Sequence, residues 1–344
     1  MAVYALFLFF GIPPNLAILK RLLVKGRRLG QSQLLKLHII IADLLVLGVY
    51  GFSSLIWLAT VDWNGGLLLC KAVKLGQEAA FQATAAVLAA LGAHRAFLLR
   101  PSSSLAFAKH RLHLMLASAW AYTLVNSLPN LYWWTEVRLT DGQRVFSQCI
   151  NSFHLNPHSQ KLLALFNATS IWHLVSVFWL PLVIMLVSYS YIVAKIWLYY
   201  HPIPHLRNRN WSLSSRFTHM RHGTAVSVCS NNNGHRSYRT HEATDVQRQR
   251  SVCSSSDASA PDTSKRMFRV TLLLLSVFGL SWLPYHLSAV LAYTHPELFH
   301  GYSDYLQLLG LLVLLPAVIN PYIYGLSSRS KPHAHIPLKP LRVP

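Results

Sequence analysis

Several ionisable and amide side chains lie inside long apolar stretches of this chain, where pairing, ion binding or transmission of a conformational change is the expected chemistry. Asp43 lies in the apolar segment LHIIIADLL, and Asn15 and Asn320 lie in two other apolar segments. An ionised carboxylate in hydrocarbon is costly unless it is paired, so such residues are candidate functional sites. Catalysis is not indicated, because the sequence shows no nucleophile–base set, metal-ligand cluster or phosphate-binding loop.

The composition indicates what kind of protein must position these groups. Of the 344 residues, 53% are hydrophobic and 12% are charged, whereas an average globular domain has about 25% charged residues. The 31 Lys and Arg outnumber the 11 Asp and Glu, which gives a net charge of +20. This composition excludes disordered and collagen-like chains and leaves an integral membrane protein.

Seven apolar stretches have about the length that a membrane-spanning helix requires. We therefore predict an all-α fold, a seven-transmembrane helix bundle over residues 1–326. The predicted spans are residues 2–19, 34–58, 67–99, 112–133, 171–199, 270–293 and 305–326. Residues 200–264, rich in Ser, Asn, Arg and His, are predicted to be a disordered loop, and residues 327–344 a short tail.

Basic residues alternate with loop number. The first, third and fifth loops and the tail are basic, whereas the second and sixth loops carry acids but no Lys or Arg. By the positive-inside rule, the odd loops and the C-terminus are cytoplasmic and the N-terminus is outside, as in a multi-pass plasma-membrane protein. Nucleic acid is excluded as a partner, because no basic patch is separate from a membrane flank.

Two of the four cysteines are predicted to face outside. Cys70 lies at the outer start of the third span and Cys149 in the fourth loop, where a disulfide would persist. Two unpaired thiols are the alternative. Cys229 and Cys253 lie in the predicted cytoplasmic loop and are expected to be reduced. Asn167 begins an Asn-Ala-Thr glycosylation sequon near the outer face.

A series of characteristic residues recurs along the chain in a fixed order. The series comprises Asn15, residues 37–45, Trp120, Pro181, Tyr189, Ser281-Trp282-Leu283-Pro284 and Asn320-Pro321-Tyr322-Ile323-Tyr324. Together with the cysteine pair, it resembles the rhodopsin-like (class A) G protein-coupled receptors. The resemblance covers residues 15–325 apart from the long loop, and it implies a receptor that catalyses no reaction.

Shorter segments narrow the resemblance within that class. Residues 141–149, 178–182 and 295–298 resemble receptors of the gonadotropin-releasing hormone, adipokinetic hormone and corazonin group. Residues 70–74 and 127–129 look more like vasopressin and oxytocin receptors. We therefore expect a receptor for a small neuropeptide hormone that signals through a heterotrimeric G protein, by resemblance the Gq class that raises calcium.

The resemblance implies roles for individual residues. Arg95, preceded by His94 where the family has an acid, is expected to meet the G protein. A polar cluster that can hold an allosteric sodium ion is expected at Asn15, Asp43, Thr84 and Asn320. The alternative is a protonated Asp43 bonded to its neighbours, and we expect no other cofactor. The activation switch is expected to comprise Tyr189, Trp282, Pro284, Asn320, Pro321 and Tyr324, with proline bends that let helices pivot.

Polar and aromatic residues in the outer halves of the spans are the candidates for ligand binding. They should face a cavity, since a row of polar groups facing lipid is unfavourable. These residues are Gln77, Glu78, His173, Tyr285 and His286. Asp304 matches an acidic position that, in the gonadotropin-releasing hormone group, recognises a basic peptide residue; an exposed loop acid is the alternative.

Three other functions remain open on the sequence. A vasopressin/oxytocin-like receptor is the first. A degenerate paralogue that no longer signals is the second, suggested by His94 and by a first span that begins at the chain's first residues. A channel or transporter is the least favoured, because it would require acidic rings or paired broken helices.

The histidine at position 94 leads to a prediction about basal signalling and stability. A histidine cannot supply the carboxylate that normally pairs with the guanidinium of Arg95, so we expect constitutive activity or instability. The alternative role of Arg95 is a simple positive-inside anchor. Basal signalling and surface expression of wild type and His94→Asp check this, and equal values for both quantities would contradict it.

Overall fold

The computed structural model describes residues 1–26, 29–99, 105–141, 144–155, 158–200, 260–295, 297, 299 and 309–328. Seven long helical segments follow one another along these residues. The first three are α1 (Ala2–Lys25), α2 (Gln31–Leu45) continuing through a π-helical turn (Val46–Gly51) into α3 (Phe52–Thr60), and α4 (Gly66–Leu98).

The remaining segments include one more π-helical turn and a short extra helix. They are α5 (Leu105–Ser127) with α6 (Asn130–Trp133), α7 (Gln160–Leu174) continuing through Val175–Trp179 into α8 (Leu180–Tyr200), α9 (Ala260–Thr294), and a 3₁₀ turn (Leu311–Leu314) leading into α10 (Leu315–Ser328).

Four helical stretches are long and apolar enough to cross a membrane, among the described residues: Ala2–Lys25, Gln31–Thr60, Gln160–Leu198 and Arg269–Ala292. The third segment, α4, is not among these stretches, and it carries polar side chains along its length, including Lys74, Gln82 and Arg95. Its position explains why this is tolerated. It packs against α2, α5, α8 and α9, so protein covers most of its surface.

The centre of α4 is rich in small residues. Ala83, Ala85, Ala86, Ala89 and Ala90 are all buried. Small side chains let helix backbones approach closely, which is the usual device where lipid supplies no hydrophobic driving force between helices. The core that surrounds α4 is aromatic, since the largest fully buried side chains are Trp282, Phe178 and Phe278.

The outer surface of the bundle is apolar. Phe9 and Leu280 are each 71% exposed, and Val187 is 65% exposed. A water-soluble protein rarely exposes such extensive apolar surface. These side chains are suited to contact with lipid.

A β-hairpin joins the fourth and fifth segments, an addition to the all-α prediction. Strand β1 (Trp134–Asp141) pairs antiparallel with β2 (Arg144–Asn151), with Glu136 opposite Cys149. A disulfide between Cys70 and Cys149, whose Cα atoms are 5.7 Å apart, attaches the hairpin to the start of α4. The predicted disulfide is therefore confirmed, and both cysteines are buried.

Several helices extend beyond their predicted ends. The first segment continues to residue 25 rather than 19, the fifth begins at residue 160 rather than 171, and the sixth begins at residue 260 rather than 270. Ser159 accounts for one of these starts, because its hydroxyl accepts a hydrogen bond from the Leu162 backbone N–H, 3.4 Å away, as an N-cap does. Because α9 begins at residue 260, the predicted loop at 200–264 ends no later than residue 259.

The fourth segment begins earlier than predicted and is interrupted near its end. The sequence predicts residues 112–133, whereas α5 occupies Leu105–Ser127 and α6 continues from Asn130 to the predicted end at Trp133. Pro129 lies between the two helices, and a proline has no N–H with which to continue the helical hydrogen bonding. Within the predicted loop and tail, residues 201–259 and 329–344 lie outside the described part, as do residues 305–308 of the seventh span.

The disulfide is expected to stabilise the folded protein. It closes a loop with a sequence separation of 79, for which the chain-entropy model gives about 4.5 kcal/mol. Cys149→Ser should therefore lower the unfolding temperature of the purified protein in detergent. Cys253→Ser, at a cysteine predicted to be reduced, is the control and should leave the temperature unchanged. Equal unfolding temperatures for wild type and Cys149→Ser would contradict the prediction.

Candidate functional site

Two adjoining cavities open beside the hairpin, with volumes of about 490 and 400 Å³. Both fall within the range typical of small-ligand pockets. Residues from α4, α6, α7, α9 and β1 form walls common to the two cavities. These shared residues are Glu78, Asn130, Trp134, His173 and Tyr285.

The larger cavity reaches the first, second and seventh helical segments. Tyr4, Tyr50 and Leu311 line it, together with Gln77 and Trp282. The smaller cavity extends between the fourth and fifth segments, where Asn126, Trp133 and Trp172 line it. Four of the predicted ligand-binding residues, Gln77, Glu78, His173 and Tyr285, thus line a cavity.

A polar network crosses the wall between the cavities. Glu78 Oε1 lies 2.9 Å from His173 Nδ1 and accepts a hydrogen bond from Gln82 Nε2 at 2.8 Å. The same Gln82 amide donates to Ser176 Oγ at 2.9 Å. The adjacent Gln77 donates from Nε2 to Ser53 Oγ at 2.8 Å. These contacts tie α4 to both the second and the fifth segments.

The side chain of Lys74 lies between two indole rings in the wall of the larger cavity. Its ammonium is 4.5 Å from the ring centroid of Trp57 and 4.0 Å from that of Trp134. An ammonium over an aromatic face is attracted by the negative face of the ring. The Trp57 indole also donates to Gln148 Oε1 at 3.0 Å, so this cluster helps to fasten the hairpin over the cavity.

The structure corrects the prediction for His286, which lines neither cavity. His286 is 1% exposed and stacks on Phe178 with a centroid distance of 4.3 Å. The ring of Trp282 lies 6.0 Å away. Tyr285 lines both cavities, whereas the next residue in a helix points about 100° away, here against the π-helical turn Val175–Trp179.

The candidate sodium cluster is centred on Asp43. Its two carboxylate oxygens accept from Asn320 Nδ2 at 2.9 and 3.0 Å, and both residues are buried. Asn15 Nδ2 instead donates to the carbonyls of Gly11 and Ala317, each at 2.9 Å. Thr84 Oγ1 donates to the Ala80 carbonyl at 3.1 Å.

Two oxygens in this region accept no hydrogen bond from the described residues. They are Oδ1 of Asn15 and Oδ1 of Asn320. Together with the Asp43 carboxylate they supply oxygen atoms, the ligand type that hard cations prefer. The donor set therefore suits a sodium ion, which stays a prediction.

The opposite end of α4 carries Arg95 and His94. Arg95 Nη2 donates to Ser32 Oγ at 3.3 Å. Tyr189 and Thr271 lie close to each other, and Tyr189 is also near Arg95. His94 is 1% exposed, and neither of its ring nitrogens has a partner among the described residues. His94 is thus packed into the bundle and is not paired with the arginine.

The other residues of the predicted switch occupy the interior. Trp282 is 2% exposed and meets Phe81 of α4 edge-to-face at 5.2 Å. Pro284 and Pro321 lie inside α9 and α10. Tyr324 is buried, and the ammonium of Lys36 lies 5.1 Å from its ring centroid.

Sequence reasoning missed part of the network. Gln82 is one helical turn below Glu78, a spacing that places both on one face, and this signal was available in the sequence. The bond from Trp120 Nε1 to His38 Nδ1, at 2.9 Å, joins α5 to α2 and had no comparable signal. Asp304 lies outside the described residues, and Asn167 lies half-buried within α7.

The arrangement suits ligand binding and conformational coupling. Among the described residues no group of three or more His, Cys, Asp or Glu is placed to hold a metal ion. Glu78 and Arg95 are 17 positions apart on one continuous helix, which places them about 26 Å apart along its axis. A single rigid element thus connects the cavities with the arginine.

The chain is similar to known proteins over most of its length. The sequence model of the family described as 7 transmembrane receptor (rhodopsin family) matches residues 14–324. The G-protein coupled receptor daf-38 of Caenorhabditis elegans is 29% identical, over 94% of this chain and 86% of its own length.

Two further relatives are similar over part of the chain. The gonadotropin-releasing hormone receptor of Octopus vulgaris is 30% identical over 55% of this chain and 44% of its own length. The annetocin receptor of Eisenia fetida is 27% identical over 57% of this chain and 46% of its own length.

The contact between Asp43 and Asn320 is expected to contribute to the free energy of unfolding. Asn320→Leu leaves a buried carboxylate without its donor, which should reduce the free energy of unfolding by about 1–3 kcal/mol or more. Asp43→Leu removes the charge and should suppress much of that loss in the double variant. Thermal unfolding of the two single variants and the double variant measures this. Strictly additive effects would contradict a direct coupling between these residues.

Proposed function

The chain belongs to the rhodopsin family of seven-transmembrane receptors, and from that premise we propose that it is the receptor for a small peptide hormone of the gonadotropin-releasing hormone type. Members of this family are multi-pass membrane proteins and receptors rather than enzymes. The peptide binds from outside in the two cavities beside the hairpin. Binding shifts the helices, and a heterotrimeric G protein responds at the opposite end.

The observation that carries the proposal is the pair of cavities that meet at Glu78 and His173. Together they extend from the first and seventh segments to the fourth and fifth. This shape suits an elongated ligand with several side chains better than a compact one. Asn130, Trp133 and Trp134 line the smaller cavity, and indole rings suit contact with the aromatic side chains of a peptide.

The coupling to a G protein is proposed from the other end of α4. Arg95 lies there with Tyr189 and Ser32 nearby. A ligand can shift a conformational equilibrium only if it binds one state more tightly than the other. Trp282 lines the larger cavity and contacts the central helix through Phe81, so a ligand that moves Trp282 favours one packing of α9 against α4. By resemblance the G protein is of the Gq class.

The hormone class is proposed from the relatives and from short segments. The Octopus vulgaris relative is a receptor named for gonadotropin-releasing hormone, and residues 141–149 resemble the corresponding loop of that group. A vasopressin/oxytocin-like receptor is the second candidate. It is favoured by residues 70–74 and 127–129, which resemble vasopressin and oxytocin receptors, and by the similarity to the annetocin receptor.

A peptide panel tests the hormone class. The full-length chain, expressed with a calcium reporter, should respond to gonadotropin-releasing hormone or adipokinetic peptides. A response to vasopressin-like peptides alone would favour the second candidate. Silence toward every peptide, with surface expression verified, would contradict the proposal and favour a receptor that no longer signals.

A cavity variant tests where the active peptide binds. Tyr285 lines both cavities, and truncation of a central aromatic contact typically costs at least about 2 kcal/mol of binding. Tyr285→Ala should therefore raise the concentration of peptide for half-maximal calcium response by about 30-fold. Tyr132→Ala is the matched control, since Tyr132 is 64% exposed and lines neither cavity. Equal responses from the two variants would contradict this binding site.

A further inference from the structure

Glu78 presents one carboxylate oxygen to the cavities without a protein partner. Both contacts of the carboxylate, from His173 Nδ1 and Gln82 Nε2, are made to Oε1. None of the described residues donates a hydrogen bond to Oε2. The side chain is only 12% exposed, yet it lines both cavities, so its remaining exposure is toward the space that a ligand would fill.

The carboxylate is held in a fixed position. Gln82 is fully buried, and its amide bridges Glu78 Oε1 and Ser176 Oγ at 2.8 and 2.9 Å. The Tyr122 hydroxyl donates to the Ser176 carbonyl at 2.8 Å, which fixes the start of this chain of contacts. A group whose own bonds are already made does not need to reorganise when a ligand arrives, which favours tight and selective binding.

The nearest lysine on the same helix does not neutralise Glu78. Lys74 is four positions earlier, a spacing that allows an ion pair. Its ammonium lies instead over the indoles of Trp57 and Trp134. Among the described residues, the salt bridge that Glu78 makes is the one to His173. The free oxygen is therefore open to a positively charged group from outside the protein.

We propose that Glu78 selects a cationic group of the ligand, an ammonium or a guanidinium, which binds to its free oxygen at the junction of the two cavities. This inference rests on the proposed function, because it assigns the chemistry of one group in the proposed peptide. A charged donor is favoured over a neutral one, since hydrogen bonds between ionised partners are about twice as strong. Leaving the oxygen dry and unpaired beneath a neutral ligand is unfavourable.

The proposal differs from the expectation for Asp304. An acid near the top of the seventh segment would select a basic residue at the entrance. Glu78 would select one at the bottom, within the bundle. Because Oε1 already accepts two contacts, the cation approaches a single oxygen. A compact ammonium fits that geometry at least as well as a guanidinium, whose fork matches two oxygens.

Four small probes and the purified full-length chain in detergent provide the test. Nα-acetyl-lysine methylamide is compared with its neutral analogue Nα-acetyl-norleucine methylamide. Nα-acetyl-arginine methylamide is compared with the citrulline analogue. We expect each cationic probe to bind wild type about tenfold more tightly than its neutral partner, as saturation-transfer NMR titrations measure. The two pairs distinguish an ammonium from a guanidinium.

The matched variants assign the preference to Glu78. Glu78→Gln should bring the ratio of dissociation constants close to one. Glu136→Gln, at an acid that lines neither cavity, should leave the ratio as in wild type. A ratio near one in wild type, or an unchanged ratio in Glu78→Gln, overturns the proposal. If Glu78→Gln does not fold, photo-crosslinking of a diazirine form of the lysine probe to wild type decides, and labelling away from the cavity walls overturns it.

The two proposals fail separately. A cation preference that depends on Glu78, together with silence toward the peptide panel, would contradict the proposed function and support the cation site. Calcium responses to a peptide, without any preference for the cationic probes, would support the function and overturn the cation site.

Discussion

Polar groups within a membrane have no water to bond, so the side chains carried inside these helices must find partners in the protein or in a ligand. This requirement accounts for the arrangement of the bundle around α4. The helix carries Glu78, Gln82 and Arg95 and is surrounded by other helices. Its composition would make it a poor lipid-facing span, yet it is well suited to a central one. The apolar helices around it supply the lipid-facing surface.

The same requirement separates the polar groups into three levels. Glu78, His173 and Gln82 meet at the cavities, Asp43 meets Asn320 in the middle, and Arg95 meets Ser32 at the far end. Apolar layers with Phe81, Trp282 and the alanines of α4 lie between them. A change at one level can reach another only through the packing of rigid helices, because no continuous chain of hydrogen bonds joins the levels among the described residues.

Hydropathy and the positions of single polar residues were sufficient to predict much of this structure. Seven apolar stretches predicted seven helical segments, and a polar residue within an apolar stretch reliably indicated the interior, as Asp43 and Asn320 show. Cys70 and Cys149 were paired by compartment alone.

Helix ends were less predictable, because they depend on single residues such as the Ser159 cap and Pro129. The hairpin was missed because its register depends on bonds to the neighbouring loop and on the disulfide. His286 was wrongly placed because adjacent helical residues face different directions, and the Lys74 site was missed because its two tryptophans come from distant parts of the chain.

We propose that a peptide in the cavities changes the state of the far end of α4. The most direct measurement is nucleotide exchange by a purified Gq-class G protein with the purified receptor in lipid nanodiscs. We expect a gonadotropin-releasing hormone or adipokinetic peptide to increase the exchange rate above that of the ligand-free receptor. Arg95→Gln should remove the increase while the peptide still binds. A rate that no peptide changes, although one of them binds in the cavities, would contradict the claim that this bundle transmits the signal.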